Sequence, residues 1–370
     1  MKFVLVLLLS LSVSLTGFAD EGVSLEDRIN AIEQQRGYSR GKNHFRVTAG
    51  GDLLYWKANV DGVAYDTTSV AVPAMIGLGT LNTNIKTRTP HFSYDPGFRL
   101  MLGFQSGFDL FDVKLIWTRF YTKGHDEAHG TLVPGLVIPG DKIISLGIGL
   151  IQGLTSIPNS TQASCGIKTN ILDLQFERGI AISHHFFLRP YFGLRGVLCD
   201  VHWDIAINRT FLTPDIFQQD STVEKIKNYF HAVGGLIGLE MDWHMSYGFG
   251  LHARGAGALV YGLSEEKTKQ TYTFLPSFGT VSVDQNFHAH NSFHTVKGMF
   301  ELFAGLFWES MPHKGHGKNK VEQPYLRIFV GYEFQELPFF GQKTNDQANR
   351  QRDRFSIGFQ GLTGGMNAVF

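Results

Sequence analysis

Stretch after stretch of this chain alternates apolar and polar side chains with a period of two, which points to strands with one greasy face and one wet face. Phe111, Val113, Leu115, Trp117 and Tyr121 share a face, opposite Asp112, Lys114, Ile116 and Thr118. Leu172, Leu174 and Phe176 oppose Asp173, Gln175 and Glu177; Phe186, Leu188, Phe192 and Leu194 oppose Arg189, Tyr191 and Arg195. The same reading sets Val233, Ile237, Leu239 and Trp243 against Glu240 and Asp242. It sets Leu251, Leu259 and Tyr261 against His252 and Arg254, and Phe300, Leu302 and Leu306 against Lys297, Glu301 and Glu309. Leu326, Ile328, Val330 and Tyr332 oppose Arg327 and Glu333. After residue 19 no run of 18 apolar residues occurs, so no later segment reads as a membrane-crossing helix.

The front of the chain has a different character. Lys2, the apolar run from Val4 to Leu15, and Gly17 and Ala19 at a small-residue cleavage site read as a secretory signal peptide over residues 1–19. Residues 20–44 form a periplasmic leader in which Leu25, Ile29 and Ile32 predict one short amphipathic helix. The sheet domain then occupies residues 45–370.

Alternation alone suits a sandwich or a barrel. The segments run about 10–15 residues, longer than the five or six usual in sandwiches. Aromatics such as Trp117, Tyr121, Trp243, Tyr261 and Trp308 end the apolar rows, as membrane-interface girdles do. Tight connections at 105–108, 183–185 and 244–246 alternate with long polar ones at 122–168, 208–225, 265–291 and 338–352. The expected fold is therefore all-β: a transmembrane antiparallel β-barrel of roughly 12–16 strands, preceded by the short N-terminal helix. Toward the wider end of that range, side chains leave the interior unfilled. With 33 basic and 33 acidic residues, nothing in the charge balance calls for nucleic acid.

Three patches carry a family resemblance. Gly51-Asp52-Leu53-Leu54-Tyr55-Trp56-Lys57-Ala58 resembles the first strand of the major-outer-membrane-protein-like pore-forming family of Legionella and environmental chlamydiae. Tyr94-Asp95-Pro96-Gly97-Phe98-Arg99, with the following segment through Phe120, is similar to its next hairpin. Gly361-Leu362-Thr363 before an aromatic terminus is similar to its closing strand. The resemblance implies a porin-like barrel in the outer membrane of a Gram-negative bacterium, exported through the periplasm. It also implies that Phe370 is the signal read by the barrel-assembly machinery. The closing strand changes phase near Gly361, from Phe355, Ile357 and Phe359 to Leu362, Met366 and Phe370, which a glycine bulge or a turn would explain.

Asp112, Lys114, Asp173, Glu177, Arg189, Arg195, Glu240, Asp242, Arg254, Lys297, Glu301, Arg327 and Glu333 are the candidate pore-lining residues. Inward charges of both signs select small polar solutes by size and charge, or pair across the lumen and stiffen the wall. The expected function is passive diffusion of small hydrophilic solutes and ions by a porin that is also a structural surface protein. The alternative is a barrel-anchored adhesin with a plugged lumen. Expected partners are outer-membrane lipid, the assembly machinery, small polar solutes and further copies of the chain. No catalytic motif is present and no cofactor is expected. His288, His290 and His294 cluster, but without acidic or cysteine partners at ligand spacing they read as solvated polarity rather than a metal site. Cys165 and Cys199 could pair in an oxidising compartment or remain two unpaired small residues.

Overall fold

The computed structural model describes residues 46–61, 66–70, 84–105, 111–129, 155–183, 185–213, 216–275, 283–310, 325–344 and 352–370. The expected signal peptide and leader helix fall outside them. The described residues form β1 (Arg46–Asp61), β2 (Asp66–Val70), β3 (Asn84–Arg88), β4 (Tyr94–Gln105), β5 (Asp112–His129), β6 (Thr155–Glu177) and β7 (Ile180–Ala181). They continue as β8 (Phe186–Thr213), β9 (Ile216–His244), β10 (Phe249–Leu275), β11 (Val283–Glu309), β12 (Tyr325–Thr344) and β13 (Arg352–Val369).

Ten of these strands pair antiparallel, each with its neighbours in chain order, and the ring closes where β1 pairs β13 from Thr48↔Val369 to Asp61↔Ser356. β7 is a two-residue addition beside the start of β8, and β2 pairs only β3. A closed ring leaves no sheet edge, the condition for a sheet to survive in hydrocarbon. Phe370 completes the seam by exchanging backbone hydrogen bonds with Val47 at 2.9 and 3.3 Å.

The count of ten corrects the expected 12–16. Segments that read as long polar connections are continuations of the strands: β5 runs on to His129, β6 begins at Thr155, and only residues 214–215 separate β8 from β9. Strands of 27 to 29 residues in β8 to β11 far exceed the about 9–11 that cross hydrocarbon. The ladder therefore extends well past the apolar belt at the end opposite the tight turns. At the turn end, β9 passes to β10 through Ser246–Gly248, where Tyr247 and Gly248 take positive φ of 59° and 83°. A Cβ on Gly248 would strike the Glu309 carbonyl, so glycine is required on both counts.

The outer surface is apolar through the middle of the barrel, with Leu53, Leu102, Ile237, Leu259, Phe300 and Val330 exposed. Trp117, Tyr121, Trp243, Tyr261 and Trp308 sit on this outer face, as the alternation requires. The interior divides in two. Nearer the turns it is charged; farther out it is an apolar cluster including Trp56, Phe120, Trp203, Phe230, Phe355 and Phe359. This division explains the phase change in β13 without a bulge. Phe355, Ile357 and Phe359 face inward in the apolar half, whereas Leu362 and Met366 face outward beside the buried Thr363. The side-chain parity is continuous, and it is the apolar side that changes face. The bulge belongs to β12, between Leu337 and Gly341: Phe339 takes φ 52° and faces out, and Phe340 turns into the lumen.

Candidate functional site: a side-chain-filled lumen

Alternation aims every second residue of each strand at the barrel axis, and in a ten-stranded ring the long ones meet. One chain of alternating charge crosses from wall to wall. Asp52 on β1 accepts from Arg99 on β4 at 3.3 Å, and Arg99 grips Glu333 on β12 at 2.7 and 3.2 Å. Arg254 on β10 bridges Glu333 at 3.1 Å and Glu301 on β11 at 2.7 Å. Arg195 on β8 then joins Glu301 at 3.0 Å to Asp173 on β6, which it holds through two bonds of 2.6 and 2.7 Å. Bidentate arginine–carboxylate geometry is the strongest form of this contact.

Nearer the turns lies a second cluster. Arg327 donates to both oxygens of Asp242 at 2.6 and 2.9 Å, and Arg189 and His252 reach the same carboxylate at 2.9 and 2.7 Å. Lys114 pairs with Glu177 at 2.6 Å and approaches Glu240 at 3.7 Å. Asp112 opens β5, half-buried and opposite Glu177. Eleven of the thirteen residues expected to line the passage thus join these two clusters, each cluster containing both signs. Lys297 does not: its ammonium lies 4.2 Å from the Phe230 ring centre and 4.7 Å from that of Phe340, and it donates to the Phe340 carbonyl. It belongs to the apolar half of the lumen.

Trp56 joins the two halves. Its indole N–H donates to Thr363 at 2.9 Å, and Thr363 in turn donates to Glu333 at 2.8 Å. Its ring packs on Phe120 and Phe359, with centroids 5.5 and 6.3 Å away. The hollow expected inside the ring is therefore occupied by side chains among the described residues. The reason is the smaller strand number, which brings opposite walls within reach of arginine and phenylalanine.

Asp52, Arg99, Thr118 and Thr363 belong to this network and were not among the expected lining residues; Arg99 donates through Nε to Thr118 at 3.0 Å. Parity was the available signal, since Asp52 is four residues from the inward Trp56 and Arg99 alternates with the outward Leu100. Cys165 and Cys199 are both buried and both free. Across the β6–β8 ladder Cys165 faces Trp203, and Cys199 faces Thr169 at 3.4 Å from its hydroxyl, so the register separates the two thiols. We expect the folded protein to resist maleimide at both cysteines, and unfolding to expose two reactive thiols. A reduction-dependent shift in gel mobility would contradict this. His288, His290 and His294 lie on the outer face of β11, and no group of three or more potential ligands capable of holding a metal ion occurs among the described residues.

A closed antiparallel ring with an apolar exterior and a paired polar interior defines an outer-membrane-type β-barrel. Residues 41–370 match the family model described as Legionella pneumophila major outer membrane protein precursor, and the chain belongs to that family. It is a protein of the Gram-negative outer membrane. No curated protein matches significantly. Among solved structures the chain is similar to the outer membrane protease OmpT of Escherichia coli, at 8% identity and TM-score 0.38, covering 90% of this chain and 100% of that one. It is also similar to the Pseudomonas putida toluene transporter TodX, at 6% identity and TM-score 0.21, covering 88% and 89%. A Pseudomonas aeruginosa FadL homologue is matched at 8% identity and TM-score 0.22, covering 88% and 90%.

Proposed function

We propose that this protein is a structural surface barrel of the outer membrane whose resting lumen is closed. Segment 1–19 directs its export, and the assembly machinery reads Phe370. The observation that carries the reading is the wall-to-wall charge chain from Asp52 to Asp173, backed by the buried Trp56, Phe120 and Phe359. A family named for a major membrane protein fits a wall-building role. The strands that continue past the apolar belt form its display surface, and no catalytic role is proposed.

Passage of small ions is the second reading, and one feature favours it. Glu333 is shared by Arg99, Arg254, Gln335 and Thr363, and Arg195 by Asp173 and Glu301, so partners can exchange without leaving a bare charge. Planar-bilayer recordings on the folded chain separate the readings. A closed lumen gives no sustained conductance after insertion has been verified. Small flickering steps support exchange among the ion pairs, and a large steady ohmic conductance overturns the closed state in favour of an open porin.

A further inference from the structure

Past the apolar rows the outer face of one flank turns basic. On β9, the residues beyond Val233 on that face are His231, Tyr229, Lys227 and Lys225; on β10, those beyond Tyr261 are Leu263, Glu265, Lys267 and Lys269. The ladder sets Lys227 opposite Lys267 and Lys225 opposite Lys269. β11 extends these rows with His290 opposite Lys267 and His288 opposite Lys269. β8 places His202 opposite Lys227, and Lys123 of β5 lies farther along the same row, across Gly166. All four β9 and β10 lysines, His288 and His290 are exposed.

Like charges set directly opposite one another across a ladder repel. Nothing in the sheet itself rewards two lysine-on-lysine pairs in succession. Acids nearby offset only part of the charge: Glu265 pairs with Lys267 at 3.0 Å, Asp200 lies 4.0 Å from His231, and Asp204 faces Lys225. A cleft of about 250 Å³ opens among Tyr229, His231, Leu263, Glu265 and Lys267, with the Lys267 ammonium 5.3 Å from the Tyr229 ring centre. Among the described side chains, the outer face of the opposite wall instead carries Glu336 on β12, Gln360 on β13, and Lys57, Asn59 and Asp61 on β1.

We propose that this flank of β8 to β11 docks the phosphorylated headgroup of an anionic outer-leaflet lipid. Two features fix the occupant. The lysine pairs supply the cations that a phosphate needs. The surface also continues directly into the exposed apolar residues Val233, Tyr261, Val296 and Leu259, on which acyl chains of the same molecule lie. A soluble polyanion would match the charge and leave that continuation unused. The chain enters β1 and leaves β13 at the end of the Ser246–Gly248 turn; with that end on the periplasmic side, the extended strand ends, and so this flank, lie at the outer leaflet. The proposal rests on that orientation and not on whether the lumen conducts.

The test is native mass spectrometry of the full chain, folded in detergent, with diphosphorylated lipid A, neutral phosphatidylcholine, inorganic phosphate or heparin added. Wild type is expected to retain the phosphorylated lipid selectively. Each surface lysine contributes about fivefold to such binding, so K227Q/K267Q is expected to weaken it about 25-fold while K57Q on the far wall leaves it intact. Equal retention by K227Q/K267Q, equal retention of the neutral lipid, or full competition by heparin or inorganic phosphate overturns the proposal. If the double variant does not fold, salt decides: wild-type retention that falls at least about tenfold between low salt and about 0.5 M NaCl supports the assignment, and salt-independent retention overturns it. The bilayer recordings are indifferent to these side chains, so the two readings fail separately.

Discussion

Replacing Glu333 by alanine is expected to destabilise the folded barrel by about 3–5 kcal/mol, the cost of removing one partner from a buried charge cluster. Glu333 is fully buried and accepts from five groups: two nitrogens of Arg99, one of Arg254, the Gln335 amide and the Thr363 hydroxyl. Its loss leaves Arg254 with Glu301 as its ion-pair partner, and Arg99 with the longer 3.3 Å contact to Asp52 and the neutral Thr118 hydroxyl. Two guanidinium groups then share too few carboxylates in a place water reaches poorly. Glu333→Gln keeps the shape and part of the hydrogen bonding, so its loss should be smaller. Glu333→Ala combined with Arg99→Ala should cost less than the two singles added, because each removes the other's stranded charge. Urea unfolding in lipid vesicles, followed by tryptophan fluorescence, reads the wild type and all four variants. A loss below about 1 kcal/mol for Glu333→Ala would place this carboxylate with ordinary surface pairs and remove the basis for a closed lumen.

The same residues show how far alternation carries a reading of this chain. Parity placed Asp173, Arg195, Arg254, Glu301 and Glu333 on the inward face, because the side-chain period of a strand is two in any barrel. It could not supply the strand number. The pattern persists where β8 to β11 leave the apolar belt, so strand extensions such as 208–213 and 265–275 carried no mark separating them from connections. Nor does parity say what fills the inside. An inward phenylalanine and an outward one look alike in sequence, and Phe359 and Leu362 read as a phase break when they are one continuous strand. Cys165 and Cys199 show the same limit: both face inward, but only the β6–β8 register reveals that each meets a different partner. Asp52 sits where apolar side chains occupy both faces, Leu53 and Tyr55 outside and Leu54 and Trp56 inside, so alternation alone does not mark which way it points.

Trp56→Ala is expected to match the Glu333 variant, at about 3–5 kcal/mol, through a different term. The indole is almost completely buried between Phe120 and Phe359, and the Arg99 guanidinium lies 5.8 Å from its ring centre. Alanine leaves a cavity walled by other strands, whose backbone the ladders hold in place, so the space cannot collapse. Trp56→Phe keeps most of the ring and gives up the bond to Thr363, which is worth about 0.5–1.5 kcal/mol. The informative quantity is the coupling of Trp56 to Glu333. Thr363 accepts from one and donates to the other, so the hydroxyl is polarised in a fixed direction from the aromatic half of the lumen to the charged half. A double-mutant cycle between Trp56→Phe and Glu333→Gln should therefore return about 0.5 kcal/mol or more of coupling, although the two side chains share no direct hydrogen bond. Additive losses would mean that the apolar plug and the ion-pair layer are independent fillings of one tube, and that opening either leaves the other shut.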